Sequence, residues 1–197
     1  MAKTRFSEGE RPTLEEVLHT REMRANYQYK LASAHGGHGI LSFKLNIPGP
    51  VKNNEHIEEI FTIGVEAIKS VLEHTVRTVI FEKEIHLSTG PELFLVIRGP
   101  VEELKKAAIR IEEENPLGRM FDIDILLFQD GTIRTLQREE FGYPERRCLL
   151  CGNSSKACGR NRTHPVEELL DKMEEMTAAY SPFKEDQKYR IMSTECL

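Results

Sequence analysis

Apolar positions along the chain switch between helical and strand spacing, and the switches outline a core of six elements. Residues 39–47 alternate apolar and polar side chains from Ile40 or Leu41 onward, which predicts a strand, and Pro48-Gly49-Pro50 stops it. Ile57, Ile60, Phe61, Gly64, Ile68, Val71 and Leu72 then recur at helical spacing, predicting a helix over 55–74 with one buried stripe. Val76 to Leu87 is rich in β-branched residues and reads as a strand. Ser88-Thr89-Gly90-Pro91 is a turn, and Leu93 to Ile97 is a short apolar strand. Val101, Leu104, Ala108 and Ile111 share one face of a second amphipathic helix. It halts at Asn115-Pro116 because the residue before a proline avoids helical backbone. Met120 to Phe128 is the last strand, closed by Gln129-Asp130-Gly131.

Strand, helix, strand, strand, helix, strand is the order of a ferredoxin-like βαββαβ core. The expected class is therefore α+β, with two helices on one face of a four-stranded antiparallel sheet. Residues 1–12 look disordered or loosely attached. Thr13-Leu14-Glu15-Glu16 has the form of a capping box and predicts an extra N-terminal helix to about Ala34, ended by Gly36-Gly37. Residues 139–164 form an irregular, Cys- and Arg-rich segment, and 165–179 a C-terminal helix. The expected organisation is one domain over 1–180 and a polar tail over 181–197.

Composition changes this picture little. The 197 residues carry a net charge of −5, so the protein as a whole has no general attraction for nucleic acid or an anionic membrane, and any phosphate site must be a local cluster. The N-terminus leads into charged residues rather than an apolar run, and nothing approaches the roughly 18 apolar residues of a membrane span, so the expected compartment is the cytoplasm. There the crowding of Cys148, Cys151 and Cys158 suggests metal binding or plain thiols before disulfides.

Three groups of residues carry candidate chemistry. Asp122 and Asp124 alternate with Phe121, Ile123 and Ile125, so the two carboxylates share a strand face with Cα atoms roughly 6.5–7 Å apart. Such a pair repels itself unless a cation intervenes, and Mg2+ suits oxygen donors and bridges to phosphates. Two ordinary surface aspartates would give the same spacing. Cys148-x2-Cys151-x6-Cys158-x5-His164 offers a donor set for structural Zn2+, with buried reduced thiols as the competing explanation. Arg119, Arg146, Arg147, Arg160 and Arg162 crowd around these groups, while Arg21, Arg24 and Gln28 form a polar stripe on the first helix and Lys52 follows the Pro-Gly-Pro turn. Arginine forks onto phosphate oxygens, so together they are candidate substrate-binding residues. His35, His38, His56, His74 and His86 have no ligand spacing and read as surface or turn residues. RNA binding through a zinc knuckle would need stacking aromatics, and none lies between Arg146 and His164.

Several segments occur in one order: Thr20-Arg21-Glu22-x-Arg24-x3-Gln28, Leu41-Ser42-Phe43, Pro48-Gly49-Pro50-x-Lys52, Thr89-Gly90-Pro91-Glu92, Asn115-Pro116-Leu117-Gly118-Arg119-x2-Asp122-x-Asp124 and Pro144-x-Arg146-Arg147-Cys148-Leu149-Leu150-Cys151. From about residue 13 to 176 the set resembles the apo-citrate lyase phosphoribosyl-dephospho-CoA transferase family, also called citrate lyase holo-acyl-carrier-protein synthase. The resemblance implies a donor, 2′-(5″-triphosphoribosyl)-3′-dephospho-CoA, and an acceptor, a serine of the citrate lyase acyl carrier protein, with diphosphate released. It implies a nucleotidyltransferase-type enzyme, chemistry that the reading of Asp122 and Asp124 as catalytic Mg2+ ligands fits. The Asp-x-Asp strand is also found in polymerase-β-like transferases, but the Gly-Ser turn those place about ten residues earlier is absent, since Ala107 to Glu114 is helical. Two other readings remain open: the same chemistry on the malonate decarboxylase carrier protein, and a zinc-ordered, non-enzymatic adaptor for an acidic carrier.

Overall fold

The computed structural model describes residues 4–74 and 78–180. Helix α1 (Leu14–Ala34) precedes β1 (Gly39–Leu45), α2 (Glu55–Glu73), β2 (Thr78–Ile85), β3 (Glu92–Arg98), α3 (Val101–Glu114), β4 (Phe121–Gln129), β5 (Thr132–Thr135), α4 (Ser155–Asn161) and α5 (Val166–Ala179). The sheet is antiparallel with strand order β2-β3-β1-β4-β5. Its first four strands have the split βαβ arrangement expected of the α+β, ferredoxin-like core, in which β3 lies between the strands that α2 connects.

Alternation along β1 and β4 divides the buried residues between two faces. Leu41, Phe43, Phe121, Ile123 and Ile125 join the main core beneath α2 and α3. The Phe43 ring lies 5.1 Å from Phe61 and 5.5 Å from Phe121, and it fills the space where a side chain at Gly64 would sit. Ile40, Phe94, Val96 and Leu126 face the other way, under Leu31 and Ala32 of α1. The N-terminal helix thus covers part of the second face, giving helices on both sides of the sheet. The Thr13 hydroxyl accepts from the Glu16 amide, and Glu16 accepts from the Thr13 amide at 2.7 Å, closing the expected capping box.

Four expectations need correction. The sheet has five strands, because Asp130 (φ 52°) and Gly131 (φ 77°) make a tight turn that pairs Thr132–Thr135 back onto β4. The N-terminal segment is not loose over its described part. Phe6 is buried against the His56 ring at 5.1 Å, and the Arg5 guanidinium donates to Glu174 at 2.7 Å. The segment after 139 includes α4, capped by Ser154, whose seven residues are too few to show an apolar repeat. His56 is buried, not a surface residue. The start of the strand expected from Val76 and the tail over 181–197 lie outside the described residues.

Candidate functional site

Gly118 sets the geometry. A Cβ there would come within 2.5 Å of the Ile111 carbonyl and 2.6 Å of the Glu112 carbonyl, so only glycine lets this turn press against the end of α3. β4 begins directly afterwards, beside Glu112, whose carboxylate accepts from the Ile123 amide at 3.0 Å. That strand edge is open at its start, because β5 pairs only with Leu126–Gln129. A cavity of about 1120 Å3 lies along it.

Asp122 and Asp124 both line this cavity, half-buried, and their surroundings differ. Lys44, directly across the sheet on β1, forms an ion pair with Asp122. Burial alone would raise the Asp122 carboxyl, but Lys44, then Arg146 and Arg24, outweigh it and hold the group below its ordinary range. Asp124 forms no ion pair or side-chain hydrogen bond among the described residues. Burial, and then the charge of Asp122, push it above its ordinary value. Lys44 thus neutralises Asp122, while Asp124 is left as the carboxylate without an ion-pair partner among the described residues.

The expected basic residues separate by where the fold places them. Arg119, Arg147 and Arg162 line the cavity with Asp122 and Asp124, and the Arg119 guanidinium also donates to the Arg147 carbonyl. Arg146 lines it too, but its donors go to the carbonyls of Phe121 (2.8 Å), Arg119 (3.0 Å) and Gly118 (3.5 Å), tying the Cys-rich segment to the start of β4. The stripe on α1 faces the sheet. Arg24 pairs with buried Glu92 at 2.5–2.7 Å and Gln28 donates to Ser42 at 2.9 Å, so both dock α1. Arg21 and Lys52 line a second, smaller cavity, and Arg160 is exposed on α4 and lines neither.

Sequence reasoning missed Lys44, Lys105, Glu112 and Arg138, the last of which lines the large cavity and pairs with Glu113 at 2.9 Å and Glu112 at 3.7 Å. Lys105 is 7% exposed, lines the large cavity and has no ion pair or hydrogen bond to its ammonium among the described residues. Burial lowers its pKa against the attraction of Glu112 and Asp124. Lys105 and Glu112 stand seven residues apart, each next to a core leucine or isoleucine of α3, and two charges flanking an apolar stripe at that period were the available signal.

The cysteine segment closes one end of the cavity. The Cys148 amide donates to the Asn153 carbonyl and Arg147 bridges to Ser154, which folds Cys148-x2-Cys151 into a tight loop. Cys158 comes from α4 and His164 from the turn before α5. Their ligand atoms all lie within 4.8 Å of one another, and His164 Nε2 is buried with no hydrogen-bond partner among the described residues. The Asn153 amide, and then His164, pull the Cys151 thiol down to about 6, while burial pushes Cys158 up to about 11. A Cys3His set with an orphaned imidazole nitrogen can hold a metal ion such as zinc.

An α+β fold that sets a carboxylate pair, a basic cavity and a thiol–imidazole cluster side by side makes this a candidate transferase. Residues 12–180 match the family described as apo-citrate lyase phosphoribosyl-dephospho-CoA transferase, and the chain belongs to that family. It is 38% identical over 162 residues to a Citrobacter koseri protein of that name, covering 82% of this chain and 86% of the relative. Proteins named probable apo-citrate lyase phosphoribosyl-dephospho-CoA transferase are similar as well. One from Vibrio cholerae serotype O1 (strain M66-2) is 38% identical over 170 residues, 86% of this chain and 93% of the relative. One from Streptococcus pyogenes serotype M18 is 34% identical over 169 residues, 86% and 87%. No helix among the described residues is long and apolar enough to cross a membrane.

Proposed function

We propose that this protein transfers the phosphoribosyl-dephospho-CoA group from 2′-(5″-triphosphoribosyl)-3′-dephospho-CoA to a serine of the citrate lyase acyl carrier protein. The observation that carries the reading is the meeting of Asp122 and Asp124 with Lys105, Arg119, Arg147 and Arg162 in one cavity of about 1120 Å3. Leu136, Leu149, Val166, Leu169 and Met173 add an apolar side to it, which suits a long ligand that is part polyphosphate and part pantetheine arm. The family's name, which couples apo-citrate lyase with a phosphoribosyl-dephospho-CoA group, supports this choice of donor and acceptor.

In the reaction the serine oxygen bonds to the phosphorus next to the ribose, the bond from that phosphorus to the diphosphate breaks, and the serine proton is lost. Magnesium held by Asp122 and Asp124 would supply charge for the phosphate oxygens and the departing diphosphate. The chain's own groups orient these atoms. Arg119, Arg147 and Arg162 bind phosphate oxygens, and Lys105 adds a buried positive charge beside the carboxylates. Asp124, the carboxylate without an ion-pair partner, takes up the serine proton. The cysteine segment keeps one end of the cavity closed, ordered by zinc on Cys148, Cys151, Cys158 and His164.

Intact mass spectrometry of the carrier protein, after incubation with donor and Mg2+, tests this directly. The carrier should gain the mass of the phosphoribosyl-dephospho-CoA group. Asp122→Asn and Asp124→Asn should each lower the rate by about a hundredfold or more while circular dichroism stays native. Full activity in both variants would defeat the carboxylate assignment. Tight carrier binding with no mass gain would favour the adaptor, and modification of the malonate decarboxylase carrier alone would move the acceptor.

A further inference from the structure

The second cavity, about 250 Å3, lies on the other side of the Lys44–Asp122 ion pair, under the N-terminal half of α1. Its walls come from α1, the end of β1, the segment after it and the turn that leads into β3. Arg21, Arg24, Lys44 and Lys52 all line it, and Glu92 is the only acid among its lining residues. Glu92 is already held by Arg24. Arg21 forms no ion pair among the described residues, and the Lys52 ammonium donates to the Ile47 carbonyl at 2.6 Å without meeting a carboxylate. Burial, then the charges of Arg21 and Lys44, depress Lys52, which places the three cations close enough to repel one another. A protein of net charge −5 has concentrated unmatched positive charge in a small polar recess.

Hydroxyls stand beside these cations. Thr20 of α1 and Thr89 of the turn into β3 share a hydrogen bond of 3.0 Å at the edge of the recess, and one of the two keeps a donor direction to turn toward an anion. Gly90 stands at φ +115°, a backbone angle that glycine tolerates and side chains rarely adopt, and it brings the Thr89–Pro91 turn against the Lys52 backbone at the rim of the recess. Asn46 lines both cavities, so they are neighbours, and Lys44 of the smaller one is paired with Asp122 of the larger.

We propose that this smaller cavity is a separate polyphosphate subsite, which receives the terminal diphosphate of the donor while the large cavity holds the rest. The assignment rests on the transferase reading above, and it divides the expected phosphate-binding residues by task. Arg21 and Lys52, with Lys44 at the boundary, hold the leaving diphosphate. Arg119, Arg147 and Arg162 hold the dephospho-CoA portion. The bond that breaks then lies where the two cavities meet, next to Asp122.

Isothermal titration of the full-length protein with inorganic pyrophosphate is the test. Arg21 is exposed and bonded to nothing structural among the described residues, so Arg21→Gln should fold normally and weaken pyrophosphate binding about tenfold, the loss of one charged hydrogen-bonding partner. Adding Lys52→Gln should weaken it further, whereas Arg162→Gln should leave it within about twofold. Pyrophosphate binding that ignores Arg21→Gln, or that falls as much with Arg162→Gln, overturns the subsite. The two claims fail separately. If the carrier gains no mass but pyrophosphate binding still depends on Arg21, the transferase reading falls and the anion subsite stands. If the carrier is modified normally by the Arg21→Gln protein and pyrophosphate binds it unchanged, only the subsite falls.

Discussion

Arg146 is where a substrate role and a structural role are most easily confused, and its removal separates them. Its side chain is 18% exposed, with guanidinium nitrogens at 2.8 Å from the Phe121 carbonyl and 3.0 Å from that of Arg119. Glu112 lies 3.8 Å away and Asp122 4.0 Å away. Arg146→Met keeps the length of the aliphatic stem and deletes every one of these interactions. Hydrogen bonds from a charged donor contribute about 1.5–3 kcal/mol each. The two short ones, taken near the lower end because the carbonyls border an open cavity, sum to about 3 kcal/mol. In a domain of this size that corresponds to a fall in melting temperature of roughly 6–12 °C. Urea unfolding followed by circular dichroism would measure it, with Arg160→Met as the exposed control, expected within about 0.5 kcal/mol of wild type. If Arg146→Met unfolds at the same urea concentration as Arg160→Met while donor affinity drops, the guanidinium serves the ligand and the structural reasoning is refuted.

Three further outcomes are expected. Protein purified without added zinc should carry about one equivalent of it, and Cys151→Ser should lower that content; well under one equivalent, with no loss of fold on chelation, would remove the zinc assignment. Lys105→Met should leave stability unchanged or raised, because it removes a buried charge with no fixed partner, while slowing carrier modification by at least tenfold; normal turnover would take Lys105 out of the site. Burial raises the Glu112 carboxyl in the folded protein, so the native state keeps a proton that the unfolded chain has lost, and stability falls as pH rises through that window. Glu112→Gln mimics the protonated form, so its stability relative to wild type should improve as pH rises above the ordinary carboxyl range, and a difference that does not change with pH would count against the burial argument.

The core elements were legible because their apolar residues repeat, as Ile57, Ile60, Phe61 and Ile68 do on α2. Phe6 escaped notice because a single aromatic among polar residues has no period, and its burial depends on α2 and α5 arriving from elsewhere. β5 was hidden behind a turn that looked like an end, since Asp130-Gly131 marks a reversal without saying whether another strand comes after it. The carboxylate pair and the cysteine spacing are local patterns and stand together in the folded protein. Lys105 and Arg138 could not be placed that way, because their roles depend on which charges surround them across elements distant in sequence. Arg24 shows the converse. A sequence makes it one more cation for phosphate, whereas its partner, Glu92, is visible only once β3 lies beneath α1.

The clasp of Phe6 and Arg5 on the inner side of α5 reaches further than its size suggests. Val166, Leu169 and Met173 of that helix form a wall of the large cavity, and His164 sits just ahead of it. The first turn of the described chain therefore braces that wall from behind, at the end away from the thiol–imidazole cluster. Trimming or fusing the N-terminal peptide would loosen the far end of the ligand chamber without touching any residue that faces it.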